Sequence, residues 1–368
     1  MNSRERVIAA INHQTPDRVP LDGYFRQDVW TKLEDHFGTT DADKIMDVLG
    51  LDIRYSLMEP STAFARRAVP SPWQTPDIGE GRRNLVIPGD SGWLEDEKGI
   101  CRVPSSSGLY WRYAYHPLAE ANSDQAESYQ FPSPHLPERY QDVLRDVARW
   151  QGKYLTVVEL WNIFKSSWEL RGFERYMMDL SLEPRFVETL ADRVLEHRIE
   201  QSKKLVQCGV DMVMISGDIA MQNSMMLSPR MWRKYFKPRL RIWLEEVRRE
   251  RKDVYFKFHS DGNMAAVFED VMDVGFDVIN PIQPECMDVE EISRRYGSRV
   301  CLHGTISCQR TLPFGTPEDV AGEVRHRIAS CSQQGGLILS PSNTIQPDVP
   351  LENILALYSA AKSTPLGG

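Results

Sequence analysis

The sequence predicts an α/β fold: a (β/α)8 TIM barrel with an antiparallel β insertion near its N-terminal third. Three observations lead there. From residue 139 onward, short apolar runs alternate with helical patterns, as parallel strands joined by crossover helices require. The length of 368 residues suits a single decorated barrel. Polar residues follow most of the apolar runs, where a parallel barrel keeps its chemistry. A doubly wound open sheet is the alternative, but no GxGxxG or GxxxxGK[ST] motif supports a nucleotide-binding version of it.

The elements follow in order. Residues 3–13 have amphipathic helix spacing, with Val7, Ile8 and Ile11 on one side and Ser3 as the expected cap. Pro16, Asp17 and Pro20 lead into LDGYF, a first strand. A helix over 41–49, closed by Gly50, precedes the strand IRYSL. Residues at about 66–138 change character, being rich in Pro, Gly, Ser and Asp with short alternating runs, GICRVP and LYWRYAYHPL. Glu97-Lys98-Gly99 reads as a hairpin turn between such runs. This insertion is expected to serve as a lid, as a contact in a homodimer, or as no more than a decorated loop. Then come YLTVVEL, a helical stretch over 173–208, VDMVMIS, a helix over 232–251, and VYFKF. A helix over 264–274, FDVIN, a helix over 289–296, VCLHG, a helix over 317–332, GLILS and a helix over 351–361 complete the pattern. Residues 1–368 are therefore expected to form one barrel domain.

The hydrophobic fraction of 41% and charged fraction of 26% are those of a globular chain that can bury a core without disulfides. A net charge of −8 argues against nucleic acid as a partner, and the basic run at 248–252 reads as a solvated helix face. The six cysteines show no CxxC spacing and are expected to be reduced thiols. The charged N-terminus does not read as a signal peptide, and no apolar run approaches the roughly 18 residues of a membrane span. A soluble, cytoplasmic protein with no membrane partner is the expectation.

The strand ends supply the candidate site. Glu159 follows YLTVV, Asp218 and then Gln222 follow VDMVMIS, and His259, Ser260 and Asp261 follow VYFKF, with Gly262 allowing a tight turn. Asn280, Gln283, Glu285 and Cys286 follow FDVI, His303 follows VCL, and Ser342 and Asn343 follow GLILS. Residues two apart share a face while extended, so His259 and Asp261 present an imidazole and a carboxylate toward one point. With Glu159, Asp218 and His303 they form a set suited to Zn²⁺ or a harder divalent ion, and equally to general acid–base work without metal. Cys286 reads as a structural thiol. Tyr24, Phe25, Trp161, Phe164 and Trp168 either line a pocket or fill the core.

Several stretches carry a resemblance: RERVIAAINHQTPDRVPLD, GDIAMQNSMMLSPRMWRKYFKPRLR, FKFHSDGNM, FDVINPIQPECMD, LHGTIS with FGTPEDV, and LSPSNTIQPDVPLENI. Together they are similar to the uroporphyrinogen decarboxylase superfamily, and more to its cobalamin-linked methyltransferases than to the decarboxylase itself. The resemblance implies a barrel with its site at the strand C-termini. Two departures narrow what it implies about activity. The arginine-rich RQAGR-type motif of the decarboxylase is replaced by Arg26-Gln27-Asp28, which argues against a polyacidic porphyrinogen. Where thiol-methylating members hold zinc by His-x-Cys and a later Cys, this chain has His259, Asp261 and Asn343, a harder donor set.

The expected activity is methyl transfer from an O- or N-methylated small molecule to a corrinoid carried by a separate partner protein. His259 and Asp261, with Glu159 or Asp218, would bind the divalent metal or protonate the leaving group. Tyr24, Trp161, Gln222, His303 and Asn343 are expected to contact substrate. The alternative is metal-free decarboxylation of a carboxylated ring, with Asp22, Arg26 and His259 binding and protonating it. A non-catalytic ligand-binding barrel is the third reading.

Overall fold

The computed structural model describes residues 1–60, 87–88, 94–104, 111–332 and 335–366. Parts of the predicted insertion, at 66–86, 89–93 and 105–110, lie outside the described residues. Seven parallel strands follow one another around a curled sheet: β1 (Ile53–Ser56), β6 (Leu155–Trp161), β7 (Met212–Ser216), β8 (Tyr255–His259), β9 (Val278–Asn280), β10 (Cys301–Ile306) and β11 (Leu337–Pro341). Each is a short run rich in β-branched and aromatic residues, and nearly all are buried on both faces, as a helix-wrapped parallel sheet demands.

The predicted first strand closes the ring as an irregular eighth stave. Asp22 N donates to Leu339 O at 3.0 Å and Leu339 N to Pro20 O at 2.9 Å, which ties residues 20–22 to β11. On the other edge Asp52 N donates to Leu21 O at 2.8 Å, just before β1. Proline leaves this stave short of donors, so its pairing reduces to isolated bridges at Leu21 and Phe25. The Asp52 carboxylate fastens it: Oδ1 lies 2.7 Å from Arg6 Nη1, while Oδ2 lies 2.8 Å from Arg18 Nη1 and accepts from Leu21 N at 2.8 Å.

Helix Ser3–Ile11 plugs the barrel at the N-terminal ends of the strands. Its Val7 and Ile11 pack with Ile53, Leu155, Val157, Met212, Met214, Val278, Cys301 and Ile338, the inward-facing apolar set. The helix is capped by Asn2, not Ser3: Asn2 and Glu5 form a reciprocal box, which Ser3 and Arg6 have no acceptor carboxylate to make.

Two predicted long helices are broken. The stretch at 173–208 divides into Phe173–Leu182 and Pro184–Gln207, and that at 232–251 into Pro229–Tyr235 and Lys237–Glu250. Pro184 and Pro238 sit in the first turn of the second member of each pair, where a missing N–H costs nothing and the ring blocks continuation from the previous helix. Helix Gln27–Phe37, absent from the predicted elements, buries only Val29 and Leu33, too few to show a period.

Within the insertion a small antiparallel sheet runs through β2 (Ile87–Pro88), β3 (Leu94–Glu95), β4 (Cys101–Pro104) and β5 (Trp111–Tyr115), with the expected turn at Glu97-Lys98-Gly99. It docks on helix Ile163–Arg171 through the buried Glu169, which accepts from Tyr113 Oη at 2.7 Å and Lys98 Nζ at 3.1 Å. Lys98, Lys165 and Arg102 hold that carboxyl well below the usual range against the effect of burial. All six cysteines are free. Among the described residues no helix is long and apolar enough to cross a membrane.

Candidate active site at the strand C-terminal ends

His259 ends β8, and the chain then turns through Ser260, Asp261 and Gly262. Gly262 is required there: its φ is 86°, and a Cβ would meet Met221 O at 2.6 Å. That approach stitches this turn to the loop after β7. Asp261 N donates to Asp218 Oδ1 at 2.9 Å, and Ile219 N to Ser260 Oγ at 3.0 Å. Two strand ends therefore deliver three donors to one place: ligand atoms of Asp218, His259 and Asp261 all lie within 4.8 Å of one another. His259 Nε2 stands 4.0 Å from Asp261 Oδ1. Asn343, beyond β11, donates Nδ2 to Asp261 Oδ2 at 2.5 Å, leaving Oδ1 buried without a hydrogen-bond partner.

The charges strain against one another. Burial first, then the nearby Asp218, push the Asp261 carboxyl up to about 6, against the pull of His259 and Asn343. Burial would lower His259, but Asp261, Asp218, Asn280 and Glu159 outweigh it and raise the imidazole above its ordinary value. Two carboxylates and an imidazole held this close suit a divalent ion with oxygen and nitrogen ligands. Because the folded-state value of Asp261 exceeds the unfolded one, its contribution to stability is full below about pH 4 and lost as pH rises through about 6. Metal-free Asp261→Asn is therefore expected to melt higher than the parent at pH 7.5, with the gain shrinking toward pH 4. Thermal unfolding across that range checks it, and a lower melting temperature at pH 7.5 contradicts it.

Below this trio lies a polar chain inside the barrel. Tyr255, Lys257 and His259 alternate inward along β8, which puts the Lys257 ammonium beneath His259. Lys257 Nζ donates to Tyr24 Oη at 2.8 Å and Tyr55 Oη at 2.7 Å, and Tyr55 Oη donates to Asp22 Oδ2 at 2.5 Å. His303 Nε2 is 3.0 Å from Asp22 Oδ2, close but off the line of an ideal hydrogen bond. The Asn280 amide bridges His303 Nδ1 and His259 Nδ1, the latter at 2.5 Å. Burial pushes Lys257 down to about 8, opposed by Asp22 and Glu159. Burial and Lys257 push His303 down to about 4, so it is neutral near pH 7. Burial works against ionisation of Asp22, yet its contacts with His303, Lys257 and Tyr55 hold it at about 2. With His303 neutral, the cation that balances Asp22 is Lys257, 3.9 Å away.

The sequence-predicted residues divide accordingly. His259, Asp261, Asp218 and Asn343 come together directly, and His303 and Asp22 join them through Asn280. Glu159 lies on β6 in register with Met214, and its charge is felt by His259 and Lys257. Tyr24 belongs to the buried chain. Trp161 ends β6 with the Lys165 ammonium 4.9 Å from its ring centroid. Gln222 is exposed and donates to Glu285 O at 3.2 Å. Arg26 caps helix Gln27–Phe37, its N–H on Ile345 O at 3.1 Å. Phe25 and Phe164 are core residues of the outer shell, and Trp168 packs on Tyr113 and Phe173. Cys286 and Cys308 border the trio as thiols, burial pushing each up to about 11.

Lys257, Tyr55 and the bridging role of Asn280 escaped the sequence. The available signal was parity: Lys257 has the same strand face as His259, and Tyr55 the same face as the inward Ile53. Thr305 escaped too. It sits buried in β10 at φ 90°, a conformation β-branched residues avoid, with Oγ1 lacking a partner.

The uroporphyrinogen decarboxylase (URO-D) family model matches residues 166–364, more than half of the chain. Methylcobamide:CoM methyltransferase MtaA of Methanosarcina barkeri is 28% identical over 174 residues, 47% of this chain and 48% of that protein. MtaA of the Fusaro / DSM 804 strain is 26% identical over 174 residues, with the same coverage. The chain thus spans about half the length of the curated relatives it matches. A methyltransferase from Methanosarcina mazei superposes with a TM-score of 0.68 at 19% identity, covering 98% of both chains, and shares the barrel fold. On the family match the chain belongs to the uroporphyrinogen decarboxylase family.

Proposed function

We propose that the chain is a methyltransferase that moves a methyl group from an O- or N-methylated small molecule to a corrinoid held by a partner protein. One observation carries this reading: Asp218, His259 and Asp261 converge at the strand ends, with Asp261 Oδ1 buried and unpartnered, in a chain similar to methylcobamide:CoM methyltransferases. These three residues would hold a divalent ion such as Zn²⁺, with the charge of Glu159 adding to the attraction. Bound there, the ion supplies Lewis acidity toward the heteroatom that loses its methyl group. The side chains do the rest. Asn343 turns Asp261 Oδ1 toward His259, and the Asp261 N–H holds Asp218 in place. Without the ion, Asp261, pushed up to about 6, would instead carry a proton at Oδ1 for a departing oxygen or nitrogen. Trp161, Gln222 and Arg26 are assigned to the substrate, while Tyr24 serves the buried chain through Lys257 and Tyr55.

Metal-free decarboxylation has less support, because the Asp22 carboxylate it needs is 1% exposed and already engaged by Tyr55 and Lys257. The test is metal content of protein purified without chelators, followed by methylation of cob(I)alamin with a panel of methoxylated and N-methylated donors. About one divalent ion per chain, lost in His259→Ala and Asp261→Ala, and methylcobalamin formation with at least one donor are expected. Absence of metal together with no methylation by any donor overturns the reading and moves the decarboxylase and the non-catalytic barrel forward.

A further inference from the structure

The donors and acceptors in the buried chain fit together best in one sense. Asn280, 2% exposed, presents Oδ1 to His259 Nδ1 and Nδ2 to His303 Nδ1. A ring nitrogen facing a carbonyl oxygen must carry hydrogen, and one facing an amide NH₂ must offer its lone pair. The neutral His259 ring is therefore protonated at Nδ1, with the Nε2 lone pair on the side of Asp261. His303 is protonated at Nε2, toward the Asp22 carboxylate. Flipping the amide reverses both rings. His259 would then aim an Nε2–H at the carboxylates, and His303 would set a lone pair against Asp22 Oδ2 at 3.0 Å. That repulsion, at 3.0 Å between groups no more than 1% exposed, outweighs the His259 Nε2 lone pair facing Asp261 Oδ1 at 4.0 Å and sets the amide in the first orientation.

We propose that Asn280 is a positioning residue that reads the Asp22 carboxylate through His303 and locks His259 in its Nδ1–H form, keeping Nε2 free to ligate. The proposal deepens the metal-dependent methyltransferase reading and rests on it for the purpose of the lock. The lock itself is a property of the metal-free chain. Outer partners of this kind orient a histidine ligand and typically change metal affinity by about 10–100-fold when removed.

The first experiment is ¹⁵N–¹H correlation of histidine-labelled, metal-free protein at alkaline pH, where both rings are neutral, with His259→Gln and His303→Gln used for assignment. His259 protonated at Nδ1 and His303 at Nε2 is the expected result, and Nε2–H at His259 overturns the proposal. Two variants follow, with Co²⁺ affinity measured by competition against a chromophoric chelator. Asn280→Leu should mix the His259 tautomers and weaken Co²⁺ about 10–100-fold. Asn280→Asp keeps an acceptor for His259 and should restore both its tautomer and an affinity within a few-fold of the parent, while holding His303 protonated at both nitrogens between Asp22 and the new carboxylate. Unchanged affinity and tautomer in Asn280→Leu refute the lock. Should that variant fail to fold, the parent tautomer and Asn280→Asp still decide. A parent chain that takes up neither Co²⁺ nor Zn²⁺ defeats the metal reading and leaves the tautomer result standing.

Discussion

A Lys257→Met chain is expected to lose about 3–5 kcal/mol of unfolding free energy, the cost of stranding a buried charge by removing its partner. Lys257 is fully buried, and its ammonium is the cation 3.9 Å from Asp22 Oδ2. Methionine keeps most of the volume, so the loss reports charge and not a cavity. Asp22→Asn alone strands the ammonium and should cost a similar amount. Asp22→Asn with Lys257→Met removes both charges and should recover most of the loss, because a buried pair is worth little net of its desolvation. Urea unfolding of the parent, both single variants and the double variant at pH 7.5 gives the coupling directly. Additive single losses would show that the two charges do not compensate each other.

Asp52→Ala is the second large effect, again about 3–5 kcal/mol, for a different reason. Its carboxylate is wholly buried and serves Arg6, Arg18 and the Leu21 N–H at once. Alanine leaves Arg6 with Asp17 at 2.6 Å but removes both of its other tasks. The orphaned Leu21 N–H alone costs about 1–3 kcal/mol. Asp52→Asn, which keeps an acceptor for Leu21, should lose less. Amide exchange should locate the damage, with protection at Leu21, Asp22 and Leu339 falling before that of β7 or β8. Uniform loss across the barrel would contradict this picture.

The barrel was legible because apolar runs and helical patterns alternate, and that alternation survives whatever the side chains do chemically. The trio at the strand ends was legible for a related reason: Asp218, His259 and Asp261 are polar residues placed just after apolar runs, where barrel strands end. Lys257, Tyr55 and the bridging role of Asn280 were not, because their meaning depends on neighbours far away in sequence. A lysine in VYFKF is ordinary on an exposed strand face, and only its parity with His259 on a closed barrel marks it as inward. Breaks at Pro184 and Pro238 were visible as prolines but hidden by apolar spacing that continues through them. The cap at Asn2 required knowing that Glu5 reaches back, while Ser3 looked equivalent.

The stave at residues 20–22 lies between β1 and β11, so Leu21 and Leu339 are neighbours although nearly the whole chain separates them. On a ribosome the stave emerges early and its partner strand late. The ring cannot shut until β11 is free, and such distant pairings are slow to form. Asp22 rides on that stave and reaches His303 only once it docks. A nascent or partly assembled chain therefore has His259 without the carboxylate at the far end of its polar chain. The buried polar chain and the closed ring thus come into being in the same step.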